Sequence, residues 1–210
     1  MPSRTQSGFE DGLTLNEVAL LAEVSERSVT KALEEGVLVA LKAAAGASGV
    51  TAGRKTLDAH AVGYFGLMNG LREGGWSIPI ESKKRIARYV VDLSSRKATD
   101  DLELNGPVVL KKSKSFPVVR RYMASAVRYL SARRRWIVTD DSVKGGTPVI
   151  RGSRMTVYSV LGRIDGGDTL DMIVEDNPDI PRGALEAALL FARANPMRGR
   201  PAGRPWKQAA

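Results

Sequence analysis

The segment from residue 13 to residue 38 holds two short runs of apolar residues at helical spacing, with only a few residues between them. Thr14 or Asn16 can cap the first run, and Ser25 can cap the second, which Gly36 ends. Two short helices joined by a tight turn form the helix-turn-helix pattern. The segment therefore predicts a helix-turn-helix unit near the N-terminus.

The second predicted helix exposes a polar face. The side chains that we expect to face DNA are Arg27, Ser28, Thr30 and Lys31. Such side chains form hydrogen bonds with base edges in the major groove, where each base pair has its own pattern of donors and acceptors. The alternative is an ordinary helical hairpin whose polar face is only solvated.

A wing is predicted to follow the helix pair. Residues 37–43 are extended and apolar, and residues 46–53 form a loop rich in small residues. Arg54 and Lys55 lie just beyond this loop, where a winged helix-turn-helix places basic groups on phosphate oxygens. We expect these two residues to add affinity for DNA without adding sequence preference.

Two longer helices are predicted after the wing, at residues 57–72 and 81–93. His60, the only histidine, is expected to be a structural side chain of the first of them. In the order of its elements, the region 13–93 resembles the DNA-binding domain of the MerR family. The resemblance implies a winged helix-turn-helix domain that binds DNA.

Residues 94–135 are expected to join the two halves of the chain or to pair with a second copy. A β-hairpin is predicted around the turn dipeptide Asn105-Gly106, followed by a helix from Pro117 to Arg135. Residues 98–135 contain nine Lys and Arg residues against three Asp and Glu residues. Much of the net charge of +9 therefore lies in this segment.

The C-terminal module is expected to contain a β-hairpin and three helices. The strands are predicted at 136–139 and 148–151, and the helices at 156–164, 169–175 and 182–194. Asp168 is expected to cap the second of these helices, and Gly152 is expected to adopt a positive φ angle at a sharp turn. The simplest architecture is a trihelical, homeodomain-like unit behind a hairpin.

A long motif in this module carries a more specific resemblance. Residues 145–159 read GGTPVIRGSRMTVYS, and they are followed by Glu175-Asp176-Asn177-Pro178 and by NPMRGRP at 195–201. The region from about 136 to 203 resembles the domain-of-unknown-function family 433. Members of this family with an upstream helix-turn-helix resemble VapB-type antitoxins, which pair with small PIN-like ribonuclease toxins. The resemblance implies an antitoxin module over residues 136–195.

Residues 196–210 form a basic tail that holds four Lys and Arg residues and no acidic residue. The tail is rich in Pro and Gly, so we expect it to be disordered until it binds a partner. The residues expected to bind the toxin are Arg198, Arg200, Arg204, Trp206 and Arg182. The arginines would bond the carboxylates of a metal-binding ribonuclease site, and the tryptophan would anchor the tail. A solubilising tail or a general nucleic-acid clamp is the alternative.

Composition narrows the classes of function further. The chain has no cysteine and one histidine, so we expect neither a disulfide nor a Cys-rich or His-rich metal site. The sequence shows no nucleophile-base pair and no phosphate-binding loop, so we expect no cofactor and no enzymatic activity. Residues 1–12, expected to be disordered, lack the apolar core of a signal peptide, and no apolar run is long enough to span a membrane. We therefore expect a cytoplasmic protein.

Together these features predict a mainly α protein with small β-hairpins, in which an N-terminal winged helix-turn-helix precedes a C-terminal hairpin and trihelical module. The function expected from the resemblances is that of an antitoxin. It would bind and inhibit a PIN-like ribonuclease toxin and repress its own operon by binding operator DNA, as a homodimer or as a hetero-oligomer with the toxin. The alternative is a stand-alone MerR-like transcriptional regulator whose C-terminal module serves for dimerisation.

Overall fold

The computed structural model describes residues 12–41, 55–104, 108–139 and 144–197, and these residues are mainly helical. The α-helices of the described residues are α1 (Leu15–Leu21), α2 (Glu26–Glu34), α3 (Ala59–Glu73), α4 (Ile80–Ser94), α5 (Lys112–Trp136), α6 (Val157–Asp165), α7 (Leu170–Asp176) and α8 (Arg182–Ala194). The strands are β1 (Leu13–Thr14), β2 (Thr56–Leu57), β3 (Leu102–Glu103), β4 (Val109–Leu110), β5 (Ile137–Val138) and β6 (Val149–Ile150). The strands form two-stranded antiparallel sheets, so the predicted mainly helical chain with small β-hairpins is confirmed.

The first sheet ties the start of α1 to the start of α3. Leu13 of β1 lies opposite Leu57 of β2, and both side chains are buried. The prediction that a helix begins at residue 57 is wrong, because Asp58 caps the helix with its side chain and α3 starts only after it. Of the extended stretch predicted at 37–43, the described part makes one bridge, from Leu41 to Thr56. The predicted wing loop at 46–53 lies outside the described residues.

The larger of two hydrophobic cores lies among the first five helices. Its buried side chains include Val18 of α1, Phe65 of α3 and Ile86 of α4. Helices α3 and α5 pack closely, because α3 carries glycine where the two helices meet. A Cβ atom built on Gly66 would lie 2.2 Å from the ring of Tyr122. The missing side chain at this position therefore sets the distance between the two helices.

Helix α5 begins earlier than its sequence indicates. Its predicted start at Pro117 is wrong, since the helix starts at Lys112 and the proline lies inside it. The carboxylate of Asp101, eleven residues earlier, accepts a hydrogen bond from the Lys112 amide at 2.7 Å and pairs with the Lys111 ammonium at 2.9 Å. This capping of free amide groups at the helix start extends α5 by more than a turn.

The second core lies between the β5–β6 hairpin and the last three helices. Phe191 of α8 and Ile150 of β6 are both fully buried there. The predicted positive φ angle of Gly152 is confirmed, at 78°. The predicted cap at Asp168 is wrong: Thr169 caps α7, and Asp168 instead accepts a hydrogen bond from Arg163 at 2.5 Å.

Helix α8 also touches the first half of the molecule. It packs against α5 and α1, and its Leu190 side chain contacts the first core. The side-chain amide of Asn16 donates a hydrogen bond to the Ala194 carbonyl at 3.2 Å. Helix α5 itself passes directly into β5, so the two cores share one continuous element. Among the described helices, none combines the length and the apolar character needed to cross a membrane.

Candidate nucleic-acid interface

Helix α2 is a short, well-capped helix with one buried and one exposed face. The side chain of Ser25 accepts a hydrogen bond from the Ser28 amide at 3.2 Å and so caps the helix start. Val29 and Ala32 are buried against the rest of the unit. Since the turn before α2 has only four residues, α1 and α2 are held in a fixed relation. The opposite face of α2 is free to meet a ligand.

The four residues of α2 predicted to face DNA are not equally available. The side chains of Arg27 and Lys31 are exposed, whereas Thr30 is half-buried. The Ser28 hydroxyl lies 3.0 Å from that of Ser25 and belongs to the cap. The two basic side chains are therefore best placed to reach a groove of DNA.

Two ion pairs of Glu35 fix the C-terminal end of α2, and one of them joins it to α4. Glu35, which follows the helix, contacts the ammonium of Lys83 at 3.1 Å and that of Lys31 at 3.7 Å. The hydrogen bond from Lys83 is the main reason that the pKa of Glu35 lies below its usual value. The contact with Lys83 couples α2 to the helix behind it. Because Lys31 is still 66% exposed, it can exchange Glu35 for a phosphate or a base.

Lys55 lies at the edge of a hollow of about 360 Å³ beside the start of α2. The hollow is lined by Thr14, Leu15, Asn16, Glu26, Lys55, Ala194 and Pro196. The structure thus brings one of the two predicted wing cations close to the start of α2. Arg54, its predicted partner, lies outside the described residues.

A buried cluster of charged and hydrogen-bonded groups positions α1, and with it α2, on α5. Glu17 accepts hydrogen bonds from the Tyr129 hydroxyl at 2.5 Å and from the Arg133 guanidinium at 2.6 Å. Arg133 also donates to the Gly12 carbonyl at 2.8 Å, and Glu17 accepts from the Thr14 amide at 2.8 Å. The Glu17 and Arg133 side chains are 0% and 2% exposed. Burial, with the negative charge of Glu17, raises the pKa of Tyr129 well above its usual value, so its hydroxyl stays a donor.

A chain of hydrogen bonds that the sequence does not indicate joins Ser94, His60 and Asp58. The Nε2 atom of His60 lies 2.9 Å from the Ser94 hydroxyl, and Nδ1 lies 2.8 Å from the Asp58 carboxylate. The order of groups is that of a serine hydrolase triad. The sequence separates His60 and Ser94 by 34 positions, so no local motif indicates the contact.

Two features of this chain oppose nucleophilic catalysis. The Ser94 hydroxyl donates its single hydrogen to the Val91 carbonyl at 2.7 Å, so towards His60 it can only accept a hydrogen bond. Ser94 is also the last residue of α4, where the negative end of the helix dipole disfavours an alkoxide or an oxyanion. His60 is thus a hydrogen-bonded side chain held between α3 and α4, and its contact with Asp58 raises its pKa and so favours the charged form.

Replacing His60 with alanine is expected to destabilise the protein more at pH 5 than at pH 8. The hydrogen bond to Asp58 raises the pKa of His60 above 6.5, against the opposing effect of partial burial. The contribution of His60 is therefore fully present below pH 6.5 and is lost as the pH rises through the raised pKa. Asp58, whose pKa is lowered by the same contact in spite of partial burial, stays ionised throughout.

Chemical denaturation at the two pH values measures this difference. The chain has no second histidine, so a change in the effect of the substitution between pH 5 and pH 8 reports on this side chain. An equal loss of stability at both pH values would show that the histidine is not charged in the folded protein.

Only one of the residues predicted to bind a toxin lies in the described part of the chain. Arg182, at the start of α8, forms ion pairs with Asp171 of α7 and with Glu186 of its own helix. These contacts connect two helices, although the guanidinium is still 50% exposed. The other predicted toxin-binding residues, Arg198, Arg200, Arg204 and Trp206, lie outside the described residues.

Sequence reasoning missed the Glu17 cluster and the His60 chain. One signal for the first was available, because Thr14 and Glu17 stand at the spacing of a capping box, and this box forms. The other partner, Arg133, lies 116 residues away, and no local pattern marks it. Within the described residues no group of three or more potential metal ligands is found among His, Cys, Asp and Glu.

Comparisons with known proteins concern mainly the C-terminal unit. Residues 137–192 match the family described as "Protein of unknown function (DUF433)", so a DUF433 domain is present in this chain. The hairpin β5–β6 and helices α6, α7 and α8 of this domain enclose the second core described above. A stretch of 71 residues, 34% of this chain, is 35% identical to "Uncharacterized protein y4eO" of Sinorhizobium fredii (strain NBRC 101917 / NGR234). The match spans 32% of the length of that relative.

Among solved structures, the X-ray crystal structure of Rv2018 from Mycobacterium tuberculosis is similar to this chain at 16% sequence identity. The alignment covers 86% of this chain and 98% of that one, with a TM-score of 0.33. A TM-score of this size does not establish a shared fold.

Proposed function

We propose that this protein is a DNA-binding regulator of the antitoxin type. Its N-terminal unit acts as a winged helix-turn-helix that binds operator DNA. The observation that carries this proposal is α2, a capped helix with its apolar side buried and with Arg27 and Lys31 exposed on the other side. A rigid helix that offers long basic side chains fits the major groove, where such side chains bond the O6 and N7 atoms of guanine.

The way in which α2 is supported favours the same function. A recognition helix reads bases only if its position is fixed to within a fraction of a hydrogen bond length. Lys83 of α4 holds the end of α2 through Glu35, and the buried contacts of Glu17 with Arg133 hold α1 against α5. These contacts fix α2 in place, because its C-terminal end is bonded to α4 and the preceding helix, α1, is bonded to α5.

Replacing Arg27 and Lys31 together with alanine is expected to weaken binding to the DNA upstream of the gene by about 30-fold or more, because each good contact to a base edge contributes about 1–3 kcal/mol and about 1.4 kcal/mol is tenfold. Binding to a scrambled duplex of equal length should change much less. Gel-shift titration against the two duplexes measures both affinities.

The matched control replaces two exposed cations of other helices, Arg72 of α3 and Arg193 of α8, with alanine. This control lowers the net charge equally and should leave the preference for the upstream duplex intact. An unchanged preference in the Arg27 and Lys31 variant would place base recognition on another surface.

The second part of the proposal is that the C-terminal unit and the basic tail bind and inhibit a PIN-like ribonuclease toxin. It is supported by the DUF433 domain at residues 137–192 and by the four cations, with no acidic residue, of residues 196–210. Pro196, the first residue of the tail, lines the hollow beside Lys55 and the start of α2. The tail therefore starts next to the proposed DNA-binding surface.

Deleting residues 197–210 is expected to weaken inhibition of the neighbouring gene's product by at least about tenfold, because a desolvated arginine-carboxylate contact contributes a few kcal/mol. An RNA-cleavage assay with increasing amounts of the full-length or shortened protein measures the inhibition. A tail in which Arg198, Arg200 and Arg204 are lysines keeps the charge and serves as the control. Full inhibition by the shortened protein would exclude the tail as the inhibitory segment.

A further inference from the structure

The outward face of α5 carries exposed cations at an interval of seven residues. They are Lys114, Arg121, Arg128 and Arg135, and they are called the α5 ridge below. Seven residues advance about 10.5 Å along a helix and fall about 20° short of two turns around it, so the four charges form a row about 31 Å long that winds by about 60° around α5. Three exposed residues that each lie three positions after a ridge member, Pro117, Ala124 and Ser131, have short side chains and leave the charged groups prominent.

No carboxylate neutralises the ridge within the described residues. Helix α5 contains eight Lys and Arg residues and no Asp or Glu, and none of the ion pairs found among the described residues includes a member of the ridge. Arg121 lies over the ring of Tyr122 at 4.9 Å, and Arg135 over that of Trp136 at 4.6 Å. Such contacts orient a guanidinium without removing its charge. The line of like charges is therefore open to an anionic partner.

Helix α2, the proposed recognition helix, does not carry such an excess of positive charge. The exposed or half-exposed charged residues on and just after α2 are Glu26, Arg27, Lys31, Glu34 and Glu35. Their charges sum to minus one, so this surface contributes little general attraction to phosphate. Proteins that bind DNA take much of their affinity from Lys and Arg side chains that neutralise phosphates. The phosphate-binding part of the affinity therefore has to come from another surface of the protein.

We propose that the α5 ridge binds the phosphate backbone of duplex DNA and supplies most of the sequence-independent affinity, while α2 reads the bases. The inference rests on the proposed function, since it assumes that the protein binds DNA. The length of the ridge, about 31 Å, is close to one turn of B-form DNA, which advances about 34 Å. A slowly winding row of evenly spaced cations suits a polyanion whose charges follow a helical path.

A protein partner fits the ridge less well. Protein interfaces usually centre on aromatic or apolar side chains that become buried. Arg128 borders an apolar hollow of about 290 Å³ between α5 and α8, but the side chains of the ridge and the short residues beside them are not themselves aromatic or large apolar anchors. The larger exposed apolar residues of α5, Phe116 and Val127, lie beside this line and are separated by eleven positions. Duplex DNA is therefore the occupant that the chemistry favours.

The test replaces all four ridge residues with glutamine and measures the affinity for the upstream duplex and for a scrambled duplex at several salt concentrations. We expect the slope of log K against log salt to decrease in magnitude by about 2–4, because each neutralised phosphate contributes about 0.9. At moderate salt the affinity for both duplexes should fall by about 10-fold to 1,000-fold, with the ratio between them unchanged. All four side chains are exposed, so circular dichroism and thermal melting should show an intact fold.

Two controls accompany this variant. The first replaces four exposed cations elsewhere, Arg72, Arg96, Lys97 and Arg193, with glutamine, and it should change the slope by less than about one. The second replaces Arg121, Arg128 and Arg135 with lysine, and it should keep most of the slope because the charge stays.

The possible outcomes separate the ridge from the recognition helix. Equal slopes for the ridge variant and the first control would overturn the role of the ridge. Unchanged DNA binding together with lost binding to an acidic protein partner would also overturn it, and would assign α5 to a protein interface. A weakened ridge variant, combined with an Arg27 and Lys31 variant that keeps its preference for the upstream duplex, would support the ridge and reject α2 as the reading helix.

Discussion

Replacing Glu17 with alanine is expected to lower the free energy of unfolding by about 3–5 kcal/mol, because the change removes the buried carboxylate that pairs with the guanidinium of Arg133. The substitution also removes the acceptor of the Tyr129 hydroxyl and one half of the capping box at the start of α1. A buried donor without a partner costs about 1–3 kcal/mol. Urea denaturation followed by circular dichroism measures the loss.

The matched control is Glu81→Ala on α4. Glu81 also pairs with a cation, Lys84, but its side chain is 71% exposed. Exposed ion pairs contribute about 0–1 kcal/mol, so this variant should be nearly as stable as the parent. A second variant, E17M with R133M, removes both charges and should recover part of the stability that E17A loses. A loss below about 1 kcal/mol for E17A would mean that Arg133 finds another partner or reaches water.

A methyl group at residue 66 is expected to destabilise the protein by about 1–3 kcal/mol, because it would overpack the contact between α3 and α5. In Gly66→Ala the new Cβ would lie 2.2 Å from one atom of the Tyr122 ring and 2.6 Å from the ring atom nearest the backbone. The ring cannot move aside at its base, so the two helices have to separate. Thermal unfolding measures the effect.

The control is Gly70→Ala on the same helix, one turn further along. No heavy atom lies within 4 Å of a Cβ at this position, and the residue is exposed. Alanine favours a helix over glycine by about 0.5–1 kcal/mol, so Gly70→Ala should stabilise the protein. The two substitutions are chemically identical and are expected to have opposite signs. A stabilising Gly66→Ala would contradict the close approach of α3 to α5.

The sequence predicted elements whose ends are marked by local signals. The predicted bounds of α8, 182–194, are those of the structure, because proline precedes the helix and asparagine follows it. The cap at Ser25 and the positive φ angle of Gly152 were predicted for the same reason. Each of these features depends on the conformational preference of residues within one turn of the position concerned.

The errors arose where a distant residue decides the outcome. Asp101 starts α5 at Lys112 by capping it from another segment, whereas the local pattern indicated a start at Pro117. A proline in a helix costs one backbone hydrogen bond, and this cost is accepted when packing on both sides holds the helix. The sequence around Pro117 does not indicate which distant residues pack against α5, so the start of the helix at Lys112 could not be predicted from it.

The candidate site was only partly predictable for a similar reason. The exposed pair Arg27 and Lys31 follows from helical periodicity, which assigns residues to faces without any knowledge of the neighbours. The Glu17 contact with Arg133 and the His60 contact with Ser94 join residues 116 and 34 positions apart. A single sequence states which residues are polar but not which of them meet in the interior.

The continuity of α5 with β5 has a thermodynamic consequence. Helix α5 contributes side chains to the first core and continues directly into β5, the first strand of the second core. Helix α8 of the second core packs against α1 of the first. A partner that binds the DUF433 domain and shifts α5 by a small amount would alter the affinity for an operator. Since such coupling is reciprocal, the operator would alter the affinity for that partner by the same factor. Repression would then respond to the ratio of the two partners as well as to the amount of this protein.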